Sequence, residues 1–207
     1  LISFNNYAQD ISIKKSEIFK DSKKNSSLKY SLEDENGGVI TIRTFFEGIF
    51  QLHNGYYIQH FDSNLKLLKE VEYKVGNNEL RNAFIKDNKL HLIEYNVDKK
   101  DDKITFNVLS ASLKDMNFSS KEILSFSEKE QQKYFGFMIF PVLISNFSQQ
   151  DKNHAGEVVM SNNNNYFVIN FDIKNKDKET HKIFVFNNNF EKIYEQLIEK
   201  DIKDKYF

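Results

Sequence analysis

Cysteine and tryptophan are absent from the 207 residues, proline occurs once, and glycine only seven times. Without cysteine there is no disulfide scaffold, no thiolate nucleophile, and no Cys-ligated zinc or iron–sulfur site. Seven glycines leave little room for a phosphate-cradling loop, and no Gly-x-Ser-x-Gly elbow occurs. The histidines are His53, His60, His91, His154 and His181, and no His-Glu-x-x-His pair is among them. An excess of one charge is missing too. Twenty-nine basic residues face 30 acidic ones, a net charge of -1 that gives no global field to draw nucleic acid or an anionic membrane. The Lys14-Lys15, Lys23-Lys24 and Lys99-Lys100 runs are interleaved with acids or serines and read as solvated faces. The longest apolar stretch, Tyr134 to Ile144, contains Gly136 and Pro141 and is too short for a transmembrane helix. Composition and motifs together predict no catalytic, cofactor-binding or metal-binding residues, no cofactor, no nucleic-acid partner and no transmembrane segment.

What the chain does have is aromatic and β-branched alternation. Phe (20) and Tyr (10) are abundant, 40% of residues are apolar and 29% charged. That balance supports a packed core, and aromatics favour pleated surfaces. Val39 to Phe46 reads as a strand, Asn54-Gly55 as a hairpin turn, and Val71, Tyr73 and Val75 as one face of a half-buried strand. A short pattern recurs three times: Phe61-Asp-Ser-Asn-Leu65, Leu109-Ser-Ala-Ser-Leu113 and Phe186-Asn-Asn-Asn-Phe190. Small turn-forming residues between two apolar anchors mark a strand turning back on itself.

The segments around two of these turns share an order. Asn82 to Ile85, the Asp87-Asn88 turn, Leu90 to Val97, a charged tip at 98–103 and Ile104 to Val108 form one unit. Glu157 to Met160, the Asn162–Asn165 turn, Tyr166 to Ile173, a second charged tip at 175–179 and Lys182 to Phe186 form the next. Aligning them sets Val168 against Leu92 and Phe171 against Tyr95. The turn anchors Leu65, Leu113 and Phe190 are 48 and 77 residues apart, which calls for an insertion, placed within 127–154. Near the C-terminus, Phe190, Ile193, Tyr194, Leu197 and Ile198 have helical spacing, but the repeat predicts a strand there.

Four short strands per unit of about 45–50 residues is the rhythm of a propeller blade. The segments Ala83 to Phe118 and Val159 to Tyr194 resemble successive blades of exported bacterial β-propeller proteins. The resemblance implies an all-β fold of antiparallel four-stranded repeats, a partial β-propeller, with a β-sandwich as its rival. It divides the chain into a lead-in at 1–38 and a repeat domain at 39–207 of about two and a half blades. A closed propeller uses at least four blades, so the chain is expected to be part of a longer protein. Export to a periplasm or cell surface is the expected location, with the cytoplasm as the other reading.

Two functions fit. The first is a non-enzymatic binding or scaffold module that contacts another protein, or the rest of its own chain, through Gln131, Gln149, Gln150, Asp151 and His154 of the insertion. The second is a hydrolase or lyase whose axial site is assembled from several blades and leaves no local motif. His60 and His91 read as ordinary cross-strand residues, and the acidic tip Asp98, Asp101 and Asp102 as a solvated turn. Phe45, Phe46, Phe50, Tyr56 and Tyr57 would suit a glycan- or peptide-binding groove, against the competing reading of core packing.

Overall fold

The computed structural model describes Ile13, Lys15 and residues 26–47, 52–74, 78–98, 100–131 and 157–201. Those residues build three four-stranded antiparallel sheets and one 3-10 turn at Glu128–Glu130. The first sheet contains β1 (Ser26–Glu33), β2 (Val39–Glu47), β3 (Leu52–Phe61) and β4 (Leu67–Lys74). The second contains β5 (Glu79–Lys86), β6 (Lys89–Asp98), β7 (Lys103–Ser112) and β8 (Ser119–Ser127). The third contains β9 (Glu157–Met160), β10 (Tyr166–Ile173), β11 (Lys178–Asn187) and β12 (Lys192–Asp201). Every sheet is a meander in which each strand pairs with the next in sequence. The all-β, four-stranded antiparallel repeat expected from the sequence is therefore what the chain forms, the sheet type from which propeller blades are made. The part of 1–38 that is described supplies β1, so three complete sheets stand where two and a half were expected. The chain divides into two compact units, 1–73 and 74–207.

Side chains that accept from their own following backbone close the hairpins. Asp34 Oδ1 accepts from Asn36 N and Gly38 N, and Asp62 Oδ1 accepts from Asn64 N and Lys66 N. Asn187 Oδ1 accepts from Asn189 N and Glu191 N in the same way. Three residues after each of these lies a residue of positive φ: Gly37 (77°), Leu65 (63°) and Phe190 (60°). The carboxylate or carboxamide holds the turn while the third residue takes the left-handed conformation that reverses the chain. Two of the three sequence motifs mark this turn correctly. The middle one does not. Leu109 to Ser112 is still strand, and the turn starts at Ser112, whose Oγ accepts from Lys114 N and Asp115 N, with Met116 at φ 55°.

That displacement corrects the alignment of the units. The pair just inside the turn is Ala111–Leu90 in the second sheet and Phe186–Phe167 in the third. Leu92 thus corresponds to Ile169, and Phe171 to Glu94, not to Tyr95. A slip of one residue exchanges the two faces of a strand, so the sequence alignment assigned the faces of β10 in reverse.

Asn54-Gly55 is a second correction. It lies inside β3 rather than in a turn. Phe45 pairs with Gly55 and Phe46 with His53, leaving Asn54 as the extra residue of a bulge. A Cβ on Gly55 would stand 2.3 Å from the Tyr73 carbonyl oxygen. Glycine is there because the neighbouring strand comes too close for any side chain. The helical spacing after Phe190 is overridden: Lys192–Asp201 is β12, paired with β11 along its length.

Within residues 74–207 the second and third sheets share a core. Phe84, Ile93, Tyr95, Ile104, Phe106 and Val108 pack against Phe167, Ile169, Phe171, Phe184 and Phe186. Phe126 and Phe171 meet with ring centroids 4.0 Å apart, and Phe167 stacks on Phe186 at 4.9 Å. The other face of the second sheet, carrying Leu90, Leu92, Leu109 and Ala111, is buried as well.

Candidate interaction surface

Several of the buried polar groups form separate pairs. Asp34 and His60 are both buried, and His60 Nε2 donates to Asp34 Oδ2 at 2.7 Å. Burial alone would raise the Asp34 carboxyl, but hydrogen bonds from His60, Gly38 and Asn36 outweigh it and hold it below the ordinary carboxylate range. The pair fastens the β1–β2 turn to β3. His91 Nδ1 lies 2.8 Å from Ser110 Oγ, with the imidazole between Phe84 and Phe190. Burial there, helped by Lys89, pushes it down to about 4, so it is neutral at pH 7. Both histidines are cross-strand residues, as the sequence implied. Phe45, Tyr56 and Tyr57 are buried in their sheet, which answers the groove reading in favour of packing; Phe50 lies outside the described residues.

Glu94 is the outlier. It is 1% exposed, and burial pushes its carboxyl up to about 7. Asn78 Nδ2 donates to Oε2 at 2.8 Å, while Oε1 has no partner among the described residues. No sequence signal marked it: in an alternating strand, Glu94 has the pattern of an ordinary surface acid. Its equivalent in the third sheet, Phe171, shows that the position is interior.

Of the predicted contact residues, Gln149, Gln150, Asp151 and His154 lie outside the described residues, as does all of 132–156. Gln131 is buried. Its Oε1 accepts from the Tyr95 hydroxyl at 3.3 Å and its backbone bridges to Ile173. Lys174 N donates to Glu130 O at 2.8 Å beside it. Gln131 therefore ties the second sheet to the third. Arg81 stacks on the Tyr95 ring at 4.7 Å, and burial pushes the Tyr95 hydroxyl up to about 12. No group of three or more His, Asp or Glu able to hold a metal occurs among the described residues. No helix among them is long and apolar enough to cross a membrane.

The feature that sequence reasoning missed is the outer face of the third sheet. In β10 and β11 both faces are apolar: Tyr166-Phe-Val-Ile169 and Ile183-Phe-Val-Phe186. A continuous apolar run in a short strand is the pattern of a strand covered on both sides. The inner side is covered by the second sheet. The outer side carries Val159, Tyr166, Val168, Ile183, Val185, Tyr194 and Ile198, with Asn170 and Gln196 among them; Val159, Tyr166 and Tyr194 are about half exposed. At the end near the charged tip the same face turns polar. His181 Nδ1 lies 2.6 Å from Asp172 Oδ1 and its Nε2 3.2 Å from Glu179 Oε1. Burial would lower this imidazole; the two carboxylates overcome that and raise it. The apolar runs in β10 and β11 were the signal that could have found this face.

No protein-family model and no curated protein matches the sequence. Among solved structures the chain is similar to the β-propeller domain of the Trilobed protease from Pyrococcus furiosus, described as having an open velcro topology. The TM-score is 0.41 at 13% identity, over 88% of this chain. The chain spans 46% of the length of that domain.

Proposed function

We propose that this chain is a non-enzymatic interaction module: a scaffold of four-stranded β-sheets that offers the outer face of its third sheet to a protein partner. One observation carries the reading. The 166–169 stretch of β10 and the 183–186 stretch of β11 are apolar on both faces; Phe167, Ile169, Phe184 and Phe186 on one face are buried, while Tyr166 on the other is half exposed. Burying the other would remove Tyr166, Tyr194, Val159 and Ile198 from water, which is favourable at about 25 cal/mol per Å² of apolar surface. The charged end of the face then supplies orientation, since ionic contacts fix register and partner choice more than raw affinity.

The test is site-specific photocrosslinking. A photoreactive residue placed at Tyr194 should give one recurrent protein adduct in cells, and the same residue at the solvated tip, at Asp101, should not. Adding Ile183→Glu should abolish the adduct. Crosslinking that is absent, or indifferent to Ile183→Glu, would sink the reading.

A further inference from the structure

We propose that Asp172, His181 and Glu179 form a proton-operated clasp at the root of the β10–β11 tip. With a hydrogen on each ring nitrogen, His181 holds both strands; on losing one hydrogen it releases Glu179 and loosens the tip.

Donors and acceptors decide this. Asp172 lies opposite His181 on the neighbouring strand, and Glu179 lies two residues before it, on the same face of β11. Asp172 Oδ1 stands 2.6 Å from Nδ1, and Glu179 Oε1 stands 3.2 Å from Nε2. An ionised carboxylate only accepts, and a neutral imidazole has one N–H and one acceptor nitrogen. Two carboxylates at the two ring nitrogens are therefore both served only by the imidazolium, through charge-assisted hydrogen bonds. Burial opposes that form, but the two carboxylates outweigh it and lift the imidazole above its ordinary range. Once neutral, the ring keeps a single N–H, and the shorter contact, to Asp172, retains it. Nε2 then presents a lone pair to the Glu179 carboxylate, and the two repel.

The surrounding charges do not provide this switch. On β12, Ile198 is opposite His181 and Lys200 opposite Glu179. On β9, Glu157 is opposite Asn170. Lys178 and Glu199 pair with each other at 3.0 Å, and the tip adds Lys174, Lys176 and Asp177. Of these side-chain types and those of the cluster, only histidine ordinarily changes charge between about pH 5 and about pH 8.

The clasp sits where the third sheet is tied to the second. The next pair beyond Asp172–His181 is Ile173–Thr180. Ile173 bridges to Gln131, and Lys174 N donates to Glu130 O at 2.8 Å. Asn175 closes the tip: its Nδ2 donates to Thr180 Oγ1 at 2.9 Å, and its Oδ1 accepts from Asp177 N at 3.1 Å. Loosening the root of the tip therefore reaches the tie as well. Because the folded imidazole is raised above 6.5, the clasp contributes fully below that pH and is lost as pH rises through the folded value.

The experiment is NMR of the whole chain from about pH 5 to about pH 9, a span that brackets the imidazole titration. Imidazole ¹⁵N shifts report which ring nitrogens carry hydrogen. His181 should be doubly protonated at pH 6.5 and titrate above it. Across that titration, and after correction for intrinsic exchange, protection of the Lys174 and Asp177 amides should fall about two- to fivefold, the worth of a partly exposed ion pair. Glu179→Gln should abolish the fall, because a carboxamide can donate to the neutral ring. A His181 that is neutral at pH 6.5 overturns the proposal, and that measurement needs no variant. So does amide protection that ignores the titration, or a fall of the same size in Glu179→Gln.

Discussion

Leu65 and Phe190 occupy the same left-handed position in equivalent turns, yet they should respond oppositely to replacement. A residue other than Gly, Asn or Asp there costs about 1–2 kcal/mol. Leu65 is only half-buried, so Leu65→Asn should relieve that cost and raise the melting temperature by roughly 2–4 °C. Phe190 compensates its strain by packing: its ring lies 5.2 Å from His91 and 6.3 Å from Phe167. Phe190→Asn should therefore destabilise by about 2–3 kcal/mol, the usual range for a lost, partly buried aromatic contact. Chemical denaturation of the two variants side by side checks the contrast. Two buried ionisable groups make a second prediction at this scale. The Glu94 carboxyl is raised in the fold from 4.5 to about 7, so the folded state holds its proton longer than the unfolded chain. Its burial costs nothing at low pH, and stability is lost as pH rises through that window, by about 3 kcal/mol in all. His91, lowered from 6.5 to about 4, acts in the opposite sense: stability is lost as pH falls from about 6.5 to about 4. Over the shared window the two slopes oppose each other. Glu94→Gln removes one, so the variant should gain on the parent between about pH 4 and about pH 8 by up to about 3 kcal/mol. A parallel pH dependence for variant and parent would refute this account of Glu94.

At the scale of the element, single residues decide whether strands can pair at all. Gly55→Ala would drive a methyl into the Tyr73 carbonyl, 2.3 Å from the new Cβ. Since the obstacle is backbone, β3 and β4 must separate locally. A loss of about 2–4 kcal/mol is expected, with increased amide exchange along β4 as the signature. The sequence showed a glycine after an asparagine and offered the hairpin reading, because the dipeptide is the strongest short hairpin signal. Only the register of β2 on β3 shows that the same dipeptide makes a bulge. The middle turn teaches a related lesson. Leu109-Ser-Ala-Ser-Leu113 has the right letters, but serine is a weaker turn former than Asp or Asn. Alternating Leu109, Ala111 and Leu113 are all buried, and that burial keeps the chain extended as far as Ser112. In β12 pairing also defeats local preference: Ile193, Leu197 and Ile198 could line a helix, but the open edge of β11 takes nine residues of β12 into its register.

At the scale of the whole molecule, the contact between the second and third sheets rests on a few aromatic rings. Phe171 is fully buried and meets Phe126 at 4.0 Å. Phe171→Ala should cost about 3–5 kcal/mol, measurable by urea denaturation, because a rigid sheet stack cannot collapse into the cavity. Much of this architecture was legible beforehand. Alternation located most strands of the three sheets, though not β1, the Asx-type residues located most turns, and the two charged tips fell where hairpins had to leave the sheet. These are local properties, fixed by side-chain periodicity and by the few residue types that tolerate a reversed backbone. Which face of each strand turns inward was not legible, because in β10 and β11 both faces are apolar and a slip of one residue inverts the assignment. Nor were the interior place of Glu94, the buried tie made by Gln131, or the meeting of Asp172, His181 and Glu179 on an open face. Each depends on which strands lie side by side and which sheets stack. Sequence alone determined that this chain makes antiparallel four-stranded units and where most of them turn, since periodicity and turn chemistry act over a few residues. Tertiary structure alone decided which of its apolar residues stay exposed, since exposure is set only in relation to everything that packs elsewhere.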